Sequence, residues 1–282
     1  MILKEKIKST YLIVADFFPM IHNVSATLRW HYHYNYISYS FHRLRGVTYK
    51  EWYARTLDSF ADTPRLPCIE GFEEKMGGNQ LDYVKKQGLK PDHSLLDYGC
   101  GYLRAGIHFI QYLESGHYTG LDLSKGRIAQ GERFVAKFGL LGKKPRLIAS
   151  PHMDLAKLHG MTFDYIWAHG VLSHMPVEDI EFLIKNLPSL LGKDSMFLGN
   201  YTELAEGEVR MATLRHFFFN RSVFERLCEK YGLRCEFLPD WENSHPHELS
   251  KIDRMIKITH TSARTSHEAR WGRRGYDCSD II

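Results

Sequence analysis

Between residues 93 and 203, apolar runs of strand length alternate with amphipathic stretches of helix length. That rhythm restricts the chain to a parallel sheet covered by helices. The strand candidates are Ser94–Tyr98, Tyr118–Leu123, Pro145–Ala149, Asp164–Ala168 and Ser195–Asn200. Between them lie "AGIHFIQYLES", "GRIAQGERFVAKFGL" and "VEDIEFLIKNLPSLLG", the second closed by Gly139 and the third by Gly192. After Asn220, Ser222-Val-Phe-Glu225 matches a capping box and predicts a helix that closes near Gly232. "RCEFLPDW" and "DRMIKITH" then read as a terminal antiparallel pair joined by a long polar connection, which brings the candidate strands to seven. The expected class is α/β, with a mostly parallel sheet and helices on both faces.

Residues 1–92 lack this rhythm and are read as a mostly helical, aromatic cap, a candidate lid over a ligand or acceptor site. Residues 93–260 form the core, and 261–282 a basic tail with the composition of disordered chain. Within the cap, Thr48-Tyr-Lys-Glu51 is a second capping box and opens a helix carrying Trp52, Tyr53, Leu57 and Phe60. Upstream, Trp30, Tyr32, Tyr34 and Tyr36 alternate. On an extended chain they share a face that either packs between cap and core or stacks on an acceptor. His31 and His33 have the spacing of a metal pair but no clear third ligand, so no metal is expected. The start, "MILKEKIKSTYLIVADFFPMI", sets lysines before an apolar run that Asp16 interrupts. With no small-residue cleavage site and too little length to span a bilayer, it reads as a packing helix, with peripheral membrane contact a lesser alternative.

A net charge of +4 gives no electrostatic footprint for nucleic acid. The five cysteines include no CxxC, which argues against a zinc site or a disulfide framework and for a reducing, cytoplasmic setting.

The chemistry concentrates in "LLDYGCGYLRAGIHFIQYLESGHYTGLDLS", residues 95–124. A strand ending in Asp97 turns through Gly99-Cys100-Gly101 into a helix, which brings backbone N–H groups close to a ligand. Asp122 follows Gly101 by 21 residues at the end of the next strand, where an acid accepts hydrogen bonds from ribose hydroxyls. A dinucleotide fingerprint needs a third glycine where Arg104 stands, and Asp97 would sit poorly beside a pyrophosphate. S-adenosylmethionine fits better, because its amino group and its sulfonium are cationic and only its carboxylate needs backbone donors.

These residues carry a resemblance. "LLDYGCG" resembles motif I of the class I S-adenosylmethionine-dependent methyltransferases, and "YTGLDLS" resembles their ribose-binding strand end. "LIASPHMDLAKL" is similar to their adenine-flanking segment, and "FDYIWAHGVLSHMP" to their fourth strand and its trailing loop. The resemblance spans residues 76–203, more loosely 216–260, and implies a Rossmann-like seven-stranded sheet. It places Gly99, Cys100 and Gly101 under the methionine portion of the cofactor, Asp97 near its amino group and Asp122 on the ribose. Met153 and Asp154 flank the adenine, Leu123 gives apolar contact, and Ala168 and His169 face the methionine tail and the methyl. Two positions depart from the family: Leu103 stands where a third glycine is frequent, and Ser150-Pro151 where an acid is frequent.

Amino-group methyltransferases acting on nucleobases or glutamine typically carry Asn/Asp-Pro-Pro-aromatic after strand four, where this chain reads "AHGVL". A small-molecule or glycan acceptor methylated at oxygen is therefore expected, with no nucleic-acid partner. His169 and His174 are the candidate bases, since histidine titrates near neutrality. Tyr201, Glu203 and His245 are further candidates for the acceptor pocket, and Arg270, Arg273 and Arg274 for gripping an anion or for a solvated tail. The alternatives are a peptide or protein methyltransferase and a cofactor-binding subunit without catalysis.

Overall fold

The computed structural model describes residues 35, 37–59, 71–213, 215–241 and 252–261, with the backbone alone at 71–73, 212 and 213. The alternating aromatics Trp30 to Tyr36, the His31/His33 pair, Phe60, His245 and the tail from 262 lie outside these residues. Where the aromatic segment is described, at 37–43, it is helical rather than extended.

In chain order the elements are α1 (Tyr49–Asp58), α2 (Gly71–Lys86), β1 (Leu95–Tyr98), α3 (Gly106–Tyr112), β2 (Tyr118–Asp122), α4 (Lys125–Lys137) and β3 (Arg146–Ala149). There follow β4 (Phe163–Ala168), α5 (Val177–Leu190), β5 (Leu191–Glu203), β6 (Val209–Thr213), β7 (His216–Phe219), α6 (Arg221–Lys230), β8 (Leu233–Leu238) and β9 (Asp253–His260). The first five strands are parallel in the order β3-β2-β1-β4-β5. Antiparallel β9 pairs with β5 along Phe197–Thr202, and β8 pairs with β9, which completes the seven strands expected.

Two more strands were not legible in the sequence. β5 runs on past its pairing with Ala168 of β4, and its projecting end, Thr202–Glu203, pairs with β7. β6 closes a hairpin with β7 at the sheet edge.

Helices cover both faces, so neighbouring residues of a strand enter different cores. Leu96, Ile166 and Phe197 pack with Leu183, Leu187 and Phe224. Leu95, Trp167 and Leu198 pack with Phe109, Ile107 and Tyr83.

The helix boundaries mostly follow their caps. At α1 the capping box is complete, with Glu51 N–H donating to Thr48 Oγ1 at 3.3 Å and Thr48 N–H to Glu51 Oε2 at 2.9 Å. Gly139 and Gly232 stop α4 and α6 with φ of +70° and +69°. Two expectations need correction. α6 is capped by Asn220, whose Oδ1 accepts from Ser222 N–H at 3.1 Å, so Ser222 lies inside the first turn. Gly192 does not stop α5: the helix ends at Leu190, and extended Leu191 leads straight into β5.

Leu103 adopts φ +70°, the left-handed conformation that a glycine there would take at little cost. The room its side chain needs comes from two glycines elsewhere. A Cβ on Gly106 would stand 2.8 Å from Leu103 Cδ2, and one on Gly131 would stand 2.9 Å from Leu103 Cγ. Gly131→Ala is therefore expected to destabilise the protein by about 1–3 kcal/mol, although alanine is the better helix former. Thermal unfolding checks this, and an unchanged or raised Tm would contradict it.

Candidate functional site

The carboxyl ends of β1, β2, β4 and β5 open on one side of the sheet, where ligands bind in open α/β folds. A cleft of about 470 Å³ lies there, lined by Asp97, Gly99, Cys100 and Gly101 and by His169, His174 and Asn200. A narrower groove of about 70 Å³ continues it past Tyr98, Asp122, Leu123 and Met153, sharing Tyr53, Gly99, Arg127, Gly170 and His174 with the cleft.

The sequence-predicted residues mostly converge on this site. Asp97, Gly99, Cys100, Gly101 and His169 line the cleft; Asp122, Leu123 and Met153 line the groove; Gly99 and His174 face both. Ala168 is fully buried beneath the site, and Asp154 is exposed, its carboxylate accepting from Ala156 N–H at 2.9 Å; neither side chain lines the two cavities. Two expected pocket residues are elsewhere. Tyr201 is buried in the core against Phe224, their ring centroids 4.6 Å apart. Glu203 pairs with Arg221 at 2.6 Å and Arg254 at 2.9 Å.

The glycine turn is shaped for close approach. Gly99 has φ +79°, and a Cβ there would stand 2.4 Å from Val171 Cγ2. Gly101 has φ +59°, and a Cβ on it would project into the cleft with nothing nearer than Arg127 Nη1 at 3.9 Å. A ligand can thus lie against bare backbone.

Both acids are buried. Asp97 accepts from Tyr118 O–H at 2.8 Å; burial pushes its pKa up to about 7, against that hydrogen bond and with some repulsion from Asp122. Asp122 binds the two loops together, with Oδ2 accepting from Gly101 N–H at 2.9 Å and Oδ1 from Ser124 N–H at 2.8 Å. Burial raises its pKa as well, opposed first by Arg127. A buried carboxylate with spare lone pairs suits a cation at Asp97 and hydroxyl donors at Asp122, so both fit the two ends of S-adenosylmethionine.

The histidines differ. His169 stacks on Trp167 with centroids 5.8 Å apart, meets Trp241 edge-on at 5.4 Å, and borders a second cavity lined by Gln80, Tyr83 and Asp240. His174 packs its ring on Tyr53 and His216 and gives its Nδ1 proton to the Arg215 carbonyl, which fixes a neutral tautomer with Nε2 as acceptor. Burial pushes the His174 pKa down to about 4. Behind them, Asn200 Oδ1 accepts from Gly170 N–H at 2.6 Å, and Asn200 Nδ2 donates to Asp253 Oδ2 at 2.9 Å, pinning the loop after β4.

Sequence reasoning missed the contributions of the cap and the hairpin. Tyr53 of α1 lines both cavities, and Asp58 at its end accepts from Ser124 O–H at 2.6 Å and Gly126 N–H at 3.0 Å. Arg215 and His216, at the start of β7, line the cleft. Only the capping box that places α1 was a signal for any of these.

Sheet order and glycine turn have the arrangement of the Rossmann-like fold seen in S-adenosylmethionine-dependent methyltransferases. Residues 96–197 match a family described as a methyltransferase domain. The magnesium protoporphyrin IX methyltransferase of Synechocystis, solved with bound S-adenosylmethionine, superposes with a TM-score of 0.55 at 16% identity, over 76% of this chain and 98% of that one. An uncharacterised protein of Rickettsia prowazekii is 27% identical over 139 residues, 48% of this chain and 53% of its own length. The sphingolipid C9-methyltransferase of Komagataella phaffii is 27% identical over 158 residues, 54% of this chain and 32% of its own length. The chain thus spans about half of the one relative and a third of the other. Among the described residues, no helix is long and apolar enough to cross a membrane.

Proposed function

We propose that this chain transfers the methyl group of S-adenosylmethionine to a hydroxyl of a small molecule or sugar. The observation that carries the reading is the joined cleft and groove, which buried Asp97, bare Gly101 and buried Asp122 border together with His169 and His174. In this reading the cofactor's amino group lies by Asp97, its methionine chain over Gly99, Cys100 and Gly101, its ribose on Asp122 and its adenine between Leu123 and Met153. When bound, S-adenosylmethionine supplies an activated methyl group, so the protein has to place the nucleophile in line and take its proton. His169 is the proposed base, because it lies at the junction of the cleft and the second cavity, through which an acceptor can approach. His174, kept neutral by burial and held in its Nδ1–H tautomer by the Arg215 carbonyl, accepts a hydrogen bond at Nε2 and orients the acceptor. The free thiols of Cys100, Cys228 and Cys235 support a reducing, cytoplasmic setting.

Calorimetry with S-adenosylhomocysteine is the first test, and a folded sample that does not bind it ends this reading. For the base, His169→Gln is expected to lower kcat by about 10²–10⁴-fold while S-adenosylhomocysteine still binds. An unchanged kcat would take the base role away from His169.

A further inference from the structure

The cleft and the second cavity, of about 760 Å³, have Gln80 and His169 in common among the described residues. Gln80 comes from α2 and His169 from the loop after β4, and Trp167 ties the two together. Its indole N–H donates to Gln80 Oε1 at 3.1 Å, while its ring stacks on His169 at an interplanar angle of 12°.

An indole N–H only donates, so the amide atom that meets it is the oxygen, and the NH2 group of Gln80 is the end left over. Gln80 is only 5% exposed, yet its Nε2 makes no hydrogen bond among the described residues, and it is not sealed into the core. The side chain borders both cavities, so its two N–H donors are open to whatever occupies their junction. A partner for Trp167 alone does not call for a glutamine. A carbonyl or hydroxyl oxygen would serve without burying an NH2 group that has nothing to bond, which costs free energy.

The second cavity supplies a wall for the rest of a ligand. Tyr83 follows Gln80 by one turn on the same face of α2 and meets Trp241 edge-on, with ring centroids 4.8 Å apart. Its hydroxyl donates to Asp240 Oδ1 at 3.1 Å, and Lys85 pairs with exposed Asp82 at 3.8 Å. A ligand body can lie on these aromatic rings while one end reaches Gln80 and His169.

We infer that Gln80 binds the methyl acceptor, its Nε2 donating to the atom that receives the methyl group while the acceptor's body lies in the second cavity. This rests on the methyltransferase reading and adds a residue that selects the acceptor atom. A hydroxyl oxygen has two lone pairs, so one takes the Gln80 N–H and the other attacks. A neutral amine nitrogen has a single lone pair, which a donor aimed at it would occupy; the site therefore favours oxygen. In the transfer, the acceptor's O–H proton passes to His169, one oxygen lone pair becomes the new C–O bond, and the electrons of the methyl–sulfur bond stay on sulfur. The Gln80 N–H also stabilises the negative charge that gathers on the oxygen as its proton leaves.

The test uses isotope-labelled protein saturated with S-adenosylhomocysteine and, as probe, tetrahydropyran, a sugar-sized ring whose ether oxygen only accepts hydrogen bonds. Protonated piperidine, the same ring with N–H donors and no acceptor, is the control. Tetrahydropyran is expected to shift the NMR signals of the Gln80 side-chain NH2 saturably, and piperidinium to leave them in place. Gln80→Met removes the donor; Gln80→Glu, ionised at about pH 8, removes it and keeps an acceptor for Trp167. Followed on the probe's own signals, tetrahydropyran binding should weaken about three- to tenfold in both variants, with S-adenosylhomocysteine held as in the parent. A glutamine that serves Trp167 alone predicts instead that Gln80→Glu binds tetrahydropyran as the parent does. That result, unmoved Gln80 signals in protein holding S-adenosylhomocysteine, or equal shifts with piperidinium overturns the inference and leaves the methyltransferase reading standing. Weakened S-adenosylhomocysteine with unchanged tetrahydropyran binding overturns it as well, and assigns the Gln80 donors to the cofactor. Failure of the parent to bind S-adenosylhomocysteine removes both readings.

Discussion

Affinity for S-adenosylhomocysteine is expected to fall by up to about tenfold for each pH unit below 7 and to level off above it. The cause is Asp97, whose pKa burial pushes up to about 7 in the free protein. The direction follows from which form binds. An ammonium group is attracted to the ionised carboxylate, so binding pulls the Asp97 pKa down and releases a proton whenever the pH lies near or below the free value. Acid therefore opposes binding, and alkali above 7 adds nothing further. Asp97→Asn is isosteric and should bind weakly at every pH, with the slope gone. Calorimetry in buffers of different ionisation enthalpy would count the released proton directly. If the slope persists unchanged in Asp97→Asn, the titrating group is another and the placement of the cofactor's amino group beside Asp97 is wrong. Gly106 offers an independent route to the same property. A Cβ there would stand 2.4 Å from Tyr118 Oη, the donor to Asp97, so Gly106→Ala should shift the midpoint of the pH profile as well.

The central sheet was legible because each buried parallel strand is a short apolar run with a turn on either side, as in Leu95–Tyr98 and Phe163–Ala168. The acid–glycine turn was legible because local chain geometry alone dictates it. The β6–β7 hairpin was not, since β7 is defined by pairing with the overhang of β5, and nothing near residue 216 signals that β5 outruns β4. The same holds for Arg215 and His216, whose place in the site depends on long-range strand order. Tyr201 was misplaced for a related reason. It sits on β5 one residue from Asn200 and Thr202, which line the cleft, and the alternation of a strand sends its ring to the opposite face against Phe224. At α6, Asn220 and Ser222 both have capping side chains, and only the backbone conformation at Asn220, extended at φ −78° and ψ 150°, decides between them.

Asp122→Ala is expected to cost both binding and stability, and the two losses have separable origins. In the free protein the carboxylate accepts from Gly101 N–H and Ser124 N–H, so it ties the glycine turn to the start of α4 across the ends of β1 and β2. Removing it leaves the buried Ser124 N–H without that acceptor, at about 1–3 kcal/mol, and the part-buried Gly101 N–H at less. The fold loses stability before any ligand is considered. For the cofactor, losing the hydrogen bonds from ribose hydroxyls to a charged acceptor should weaken S-adenosylhomocysteine about 10–100-fold. Asp122→Asn separates the terms: its one amide oxygen can keep either Gly101 or Ser124 but not both, and without the charge it accepts more weakly from a hydroxyl. It should therefore recover part of the Tm and little of the affinity. If Asp122→Ala lowers the Tm yet binds S-adenosylhomocysteine as the parent does, Asp122 is a structural clasp alone. The nucleoside must then be sought outside the groove formed by Leu123 and Met153.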